Sequence, residues 1–206
     1  MDQDRVVRPR LLGIAGSPRR HGNSEILLDL ALGAAEGAGA SVEKLVLAQL
    51  SVMPCRACDV CVSGRCIQRD DMDRLYPLLE TVDVLLLATP VHFYGLPALA
   101  KALVDRGQLF WHRKYGSGPP GPSHVSPRRG ALIAVGATHG KQLFVGTRMT
   151  VKNWFDTMDV DYAGELLIRG VDARGAIRDN AEALRDAAAL GKALAVPPGK
   201  ALSTPG

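Results

Sequence analysis

Three stretches of this chain are apolar at nearly every position: LLGIA at 11–15, DVLLLATP at 83–90 and GALIAVGA at 130–137. Successive side chains of a strand point to opposite faces of its sheet, so a half-solvated strand alternates apolar with polar residues. A strand that is apolar throughout needs cover on both faces, which is the situation of parallel sheets flanked by helices. Helical spacing separates these runs. Residues 23–38 carry apolar side chains at 26, 27, 30, 31 and 34, one face of a 3.6-residue period. Helices are likewise expected over 71–82, 98–110, 141–158 and 177–195, with Pro77 kinking or shortening the first of these. Weaker strands are expected over 41–47 and 161–170. The alternation predicts an α/β fold, a doubly wound five-stranded parallel sheet with helices on both faces.

Composition supports that expectation. The 206 residues are 47% hydrophobic and 22% charged, enough to bury a core without covalent staples. One domain is expected over 1–196, with a flexible tail at 197–206 and a Pro- and Gly-rich surface loop at 112–129. The chain has no apolar run of the ~20 residues a membrane span needs. Its first ten residues lack the order of a secretory signal. A cytoplasmic location is expected, where thiols stay reduced. The net charge of +4 comes from scattered Lys and Arg, including the pairs Arg19-Arg20 and Arg128-Arg129. Aromatics make up 5% and do not alternate with these cations, so a solvated basic surface is expected and nucleic-acid binding is not.

Ligands of such sheets sit outside the carboxyl ends of the strands. The loop after the first strand, GSPRRHGNS at 16–24, is neither G-x-G-x-x-G nor a Walker loop. It still has what a phosphate requires. Gly16 and Gly22 let amides turn inward, Ser17, Asn23 and Ser24 supply donors, Arg19 adds charge, and the loop opens a helix. Asn23 or Ser24 would also serve as a plain helix cap. The loop after the strand at 83–88 is TPVHFYGLP, where Pro90 and Gly95 shape a turn that carries Val91, His92, Phe93 and Tyr94. Such a turn suits a flat heterocycle; alternatively, Phe93 and Tyr94 pack under a neighbouring helix. After the third apolar strand, Thr138, His139 and Gly140 are placed to meet the same ring from its other side. No side chain is needed as a catalytic acid or base.

The segment PCRACDVCVSGRC at 54–66 holds all four cysteines, at C-x2-C-x2-C-x4-C spacing. In a reducing compartment such a cluster points to metal or redox chemistry rather than to structural bridges.

GSPRRHGNS followed by ATPVHFYGLPALAKALVDR resembles the NADPH-dependent FMN reductase branch of the flavodoxin-like superfamily, over about residues 11–195. The resemblance implies FMN, with its phosphate held by Ser17, Arg19, Asn23 and Ser24. It implies that the isoalloxazine lies against Pro90, Val91, Phe93, Tyr94 and Gly95. The inserted loop with Cys55, Cys58, Cys61 and Cys66, followed by Asp70-Asp71, resembles the iron–sulfur flavoproteins of that branch. That implies one [4Fe–4S] cluster beside FMN, and homodimers or homotetramers.

Ligand chemistry agrees with the cluster while leaving alternatives open. C-x2-C-x2-C wraps three thiolates around one cubane, and no second cysteine set exists for the fourth to serve. Structural zinc prefers two separated pairs, and free or disulfide-linked thiols remain a third reading. The leading expectation is an FMN oxidoreductase that passes electrons from a one-electron donor such as ferredoxin. The alternatives are an NAD(P)H-dependent FMN or quinone reductase without a cluster, and a non-enzymatic flavodoxin-like carrier.

Overall fold

The computed structural model describes residues 8–124 and 126–196. Among them one sheet of five strands has the order β2-β1-β3-β4-β5. The strands are β1 (Arg10–Ala15), β2 (Ser41–Val46), β3 (Val84–Pro90), β4 (Arg128–Val135) and β5 (Val160–Ile168). All neighbours run parallel. This is the flavodoxin-like order, with its topological switch between β1 and β3. The helices are α1 (Asn23–Gly37), α2 (Met72–Thr81), α3 (Ala98–Asp105), α4 (Gln108–Lys114), α5 (Val145–Asp156) and α6 (Ala181–Ala195).

The apolar runs occupy the three inner strands, whose side chains are divided between two cores. Leu12, Ile14, Leu85 and Leu87 face α2 to α5 and pack with Phe110, Trp154 and Phe155. Leu11, Ala15, Leu86 and Ala88 face α1 and α6 and pack with Leu27, Leu28 and Leu194. On the outer strand β5 the burial alternates, as expected where one face has less cover. Helix α6 lies directly on α1 at Gly191, where a Cβ would stand 1.9 Å from the Ala31 carbonyl oxygen.

Several element boundaries differ from the sequence expectation. The helix expected over 98–110 is two helices, α3 and α4, broken at Arg106-Gly107. There the Gly107 N–H donates to the Val104 carbonyl in a tighter step, and the Arg106 side chain turns inward to Asp70. Pro77 lies inside α2 without ending it, because buried Leu75, Tyr76 and Leu79 anchor the helix on both sides of the ring. Helix α5 begins only at Val145. The last expected helix is a 3-10 turn at Ala176–Asp179 followed by α6, and Asn180 caps α6 by accepting from the Ala183 N–H at 2.9 Å. The loop expected at 112–129 shrinks, since α4 runs to Lys114 and β4 starts at Arg128. Arg128 is buried rather than part of a basic surface, donating to the Val82, Met158 and Leu79 carbonyls. It satisfies the open C-terminal end of α2. Among the described residues no helix is long and apolar enough to cross a membrane. The expected tail at 197–206 lies outside the described residues.

Candidate functional site

Two cavities are built from the segments that the sequence singles out. The first lies at the carboxyl ends of β1 and β3, where the Gly16 N–H donates to the Ala88 carbonyl at 2.7 Å. A cavity of about 110 Å³ is lined there by Ser17, Arg19, Gly22, Asn23 and Ser24 from the first loop, and by Pro90, Val91 and His92 from the second. The Ser17 hydroxyl accepts from the Arg19 N–H at 3.0 Å and sets the turn. Gly22 occupies the cap position of α1, and among the described residues no side chain caps that helix. Neither Asn23 nor Ser24 is therefore the cap. Asn23 instead bridges to the chain after β5, donating to the Ala173 carbonyl at 3.0 Å and accepting from the Ile177 N–H. The first turn of α1 therefore has no side-chain cap, and uncapped first-turn amides of a helix favour an anion.

Glu25 secures this loop from behind. It is buried, accepts from the His21 N–H at 2.5 Å and bonds Lys44 at 2.8 Å. Burial alone would raise its carboxyl. The Lys44 and His21 hydrogen bonds and the nearby Arg20 charge outweigh burial and hold it below the usual range.

The second loop forms the expected turn, with His92 and Gly95 exchanging backbone hydrogen bonds at 3.0 and 2.9 Å. Phe93 and Tyr94 both have left-handed backbone, φ 49° and 62°. They do not pack under a helix: Phe93 is wholly exposed and Tyr94 is half exposed. Backbone strain of this kind in a bulky residue is kept where surrounding structure enforces it and recurs at ligand sites. Phe93, Tyr94, Gly95, Thr138, His139 and Gly140 lie outside the lining of the first cavity. The Tyr94 hydroxyl stands beside Gly140, which brings the second and third loops together, while the His139 ring covers Gly170 after β5.

The second cavity belongs to the cysteines. The chain leaves β2 through a 3-10 turn at Leu47–Gln49 and returns at α2. The acidic pair fastens the two ends. Asp71 accepts from the Ser51 N–H at 2.7 Å, and Asp70 accepts from the N–H groups of Met53 and Met72, both at 2.9 Å. Gln68 donates to the Pro54 carbonyl at 3.1 Å. Behind them Asp70 pairs with Arg106 at 2.6 Å, with side chains 2% and 1% exposed. Desolvation opposes the Asp70 charge, but the Arg106 bond and the two backbone N–H groups overcome it and keep the carboxyl low. Within the loop Ala57, Asp59 and Gly64 have positive φ. Pro119, from the 115–127 segment, packs on Gly64.

All four cysteines, Cys55, Cys58, Cys61 and Cys66, line one cavity of about 420 Å³ together with Tyr76, Arg106 and His112. Their sulfurs are not paired into disulfides. Burial, and then the neighbouring Cys55, Cys58 and Cys66, push the Cys61 thiol up. Among the described residues no group of three or more His, Cys, Asp or Glu side chains is placed to hold a metal ion. One zinc at about 2.3 Å from each sulfur needs its ligands about 3.8 Å apart. A cubane takes one thiolate at each of four separate corners. The four cysteines lining one cavity are the donor set on which either group would draw.

A family model described as NADPH-dependent FMN reductase matches residues 9–163, from the first strand into the fifth. This chain belongs to that family. Among relatives of this FMN reductase family member, an iron–sulfur flavoprotein of Archaeoglobus fulgidus is 39% identical over 117 residues, 56% of this chain and 53% of that protein. An iron–sulfur flavoprotein of Methanosarcina thermophila is 29% identical over 152 residues, 73% of each chain. The chain thus spans about half the length of the first of these relatives. A solved NAD(P)H:quinone oxidoreductase from Methanothermobacter marburgensis shares the fold at a TM-score of 0.69 and 14% identity, covering 90% of this chain and 95% of that one.

Sequence reasoning missed two groups of residues around these cavities. Val171, Asp172 and Arg174 line the first cavity from the loop after β5, and Arg174 donates to the Arg20 carbonyl at 2.5 Å. The carboxyl-end rule points to that loop as well, so the signal was present in GVDARG. Tyr76, Arg106 and His112 line the second cavity from helices α2 to α4. No spacing rule links them to the cysteines.

Proposed function

We propose that this chain, with residues 1–196 as one FMN-binding domain, is an FMN-dependent oxidoreductase that also holds a [4Fe–4S] cluster. One observation carries the cluster reading: four cysteines line a single cavity, tied at its base by Asp70, Asp71 and Gln68. Family membership and the iron–sulfur flavoprotein relatives support it.

Ser17, Arg19, Asn23 and Ser24, with the opening amides of α1, would hold the FMN phosphate. The second loop, Pro90 to Gly95, would meet the ring, with Thr138, His139 and Gly140 on its far border. When bound, FMN exchanges one or two electrons and the cluster one, so the pair couples one-electron to two-electron chemistry. The protein contributes position and electrostatics. Glu25 locks the phosphate loop through His21, and the strained Phe93-Tyr94 turn presents backbone groups at the edge of the site. Ferredoxin or NAD(P)H is the electron donor on this reading, the assembly is a homodimer or homotetramer, and the location is cytoplasmic.

The family description favours a second reading, an NAD(P)H-dependent FMN or quinone reductase without a cluster. Purification without oxygen, followed by assay of flavin, iron, acid-labile sulfide and zinc per chain, separates the two. Four irons and four sulfides per chain are expected from the cubane stoichiometry. Flavin with neither iron nor sulfide would remove the first reading, and rapid bleaching of that flavin by NAD(P)H would establish the second.

A further inference from the structure

The family match stops at residue 163, inside β5. The segment that follows, 169–177, is nonetheless fastened to the loops on both sides of it. Toward the third loop, the Gly170 N–H donates to the Thr138 carbonyl at 3.4 Å and the Val171 N–H to the Gly136 carbonyl at 3.2 Å. Arg169 Nε donates to the Gly140 carbonyl at 3.4 Å. Toward the first loop, the Asn23 side chain donates to the Ala173 carbonyl at 3.0 Å and accepts from the Ile177 N–H at 3.3 Å. Arg174 Nη2 donates to the Arg20 carbonyl at 2.5 Å. A connection that only carried the chain from β5 to α6 would need no such bonds to residues near the first strand. Fixing its backbone costs conformational entropy, and here that cost secures one placement of the segment against the loop at 16–24.

That placement puts a second cation into the first cavity. Arg174 lines it together with Ser17, Arg19, Gly22, Asn23 and Ser24. Arg20 and Arg148 have carboxylate partners in Glu25 and Glu165. Among the described residues, neither Arg19 nor Arg174 takes part in an ion pair. Asp172 shares the cavity wall but pairs with neither arginine. Two guanidinium groups without a carboxylate, beside the uncapped start of α1, suit an anion with several oxygens. A guanidinium fork matches phosphate oxygens in both geometry and charge, and a phosphate monoester carries nearly two negative charges at neutral pH.

We propose that Arg174, from the segment beyond the family match, is a second phosphate-binding residue for FMN alongside Arg19, and that it makes the site select phosphorylated flavin over riboflavin. The inference rests on the FMN reading above. The two arginines come from segments about 150 residues apart, joined by the Asn23 bridge to Ala173 and Ile177. Asn23 is thus a positioning residue for Arg174 as well as part of the cavity wall.

The test titrates full-length protein, freed of flavin and kept without oxygen, with FMN and separately with riboflavin, following the quenching of flavin fluorescence. Riboflavin is FMN without the phosphate, so the ratio of the two dissociation constants reports the phosphate contacts alone. Wild type is expected to prefer FMN. Arg174→Gln keeps an amide donor for the Arg20 carbonyl but removes the charge. It is expected to weaken FMN about tenfold, the value of one charge-assisted hydrogen bond, and to leave riboflavin unchanged. Arg174→Lys is expected to restore part of the preference, and Arg178→Gln, which removes the neighbouring arginine of the same segment, to keep all of it. A wild type that binds FMN no better than riboflavin would overturn the FMN reading, and this inference with it. A wild type that prefers FMN, with the full preference kept in Arg174→Gln, would overturn this inference and leave the reading standing. Equal losses of FMN and riboflavin in Arg174→Gln would reduce Arg174 to a strap between loops and overturn the inference as well. Should Arg174→Gln fail to fold, the same comparison in Arg174→Lys decides, an undiminished preference for FMN together with weakened riboflavin counting against the proposal and a reduced preference with riboflavin unchanged supporting it.

Discussion

At the scale of single residues, two buried carboxylates organise the two cavities. Asp70 joins the entry of the cysteine loop, the start of α2 and the end of α3 in one cluster of hydrogen bonds. Replacing it with Asn leaves the Arg106 charge buried and uncompensated, a loss of about 3–5 kcal/mol for breaking such a pair. Urea denaturation of Asp70→Asn against wild type measures it, and a loss below about 1 kcal/mol would mean that Arg106 finds another partner. Glu25 plays the corresponding part behind the loop at 16–24. Its carboxyl is held below its ordinary value of 4.5 by Lys44 and His21 against the opposing effect of burial. A depressed folded-state pKa stabilises above the unfolded value and ceases to stabilise as pH falls through the folded one. The Glu25 contribution is therefore complete at pH 6 and is lost in the acid range below about 4.5. Thermal unfolding across pH 3 to 7 checks this, with Glu25→Gln expected to lose stability at pH 7 and to show a shallower acid decline.

At the scale of elements, close approach matters more than propensity. Helix α6 reaches α1 only because Gly191 has no side chain, the Ala31 carbonyl standing where a Cβ would be. Helix backbone cannot yield there as a flexible side chain would. Gly191→Ala is expected to destabilise by about 1–3 kcal/mol, the usual range for overpacking, and a Tm equal to wild type would contradict it. The 115–127 segment acts on the cysteine loop through the same kind of contact. Gly64, at φ 87°, faces Pro119, and Arg113 donates to the Gly64 carbonyl at 3.2 Å. Gly64→Ala places a Cβ 2.5 Å from Pro119 Cγ in a backbone region that alanine disfavours. The expected outcome is faster loss of iron in air with flavin content unchanged.

At the scale of the whole molecule, the two cavities are built from different parts of the fold and are expected to load independently. Single Cys→Ser changes at Cys55, Cys58, Cys61 or Cys66 should deplete iron while FMN stays near one per chain. Arg19→Ala should leave iron intact and weaken FMN roughly tenfold, the value of one lost charge-assisted bond of about 1.5 kcal/mol. Parallel dialysis assays of flavin and iron on these variants test the separation. If the cysteine changes also released FMN, the two sites would share a structural support.

What the chain alone determined is what local period and strand ends express. Its three apolar runs specify inner strands with two covered faces, because side-chain direction alternates along a strand without reference to anything else. The loops that follow them stand at the carboxyl ends, where such sheets take ligands, and Ser17, Arg19, Gly22, Asn23, Ser24, Pro90, Val91 and His92 line one cavity there. The break between α3 and α4, the burial of Arg128 and the seat of Arg106 were not legible. Each depends on a partner far along the chain: Asp70 lies 36 residues before Arg106, and Val82 lies 46 before Arg128. A cation reads as surface until something buried answers its charge, since desolvation without a partner is prohibitive. PCRACDVCVSGRC showed four soft ligands close in sequence. Only tertiary structure decided that Arg106, paired with buried Asp70, lines their cavity, because Arg106 and Asp70 lie far apart along the chain.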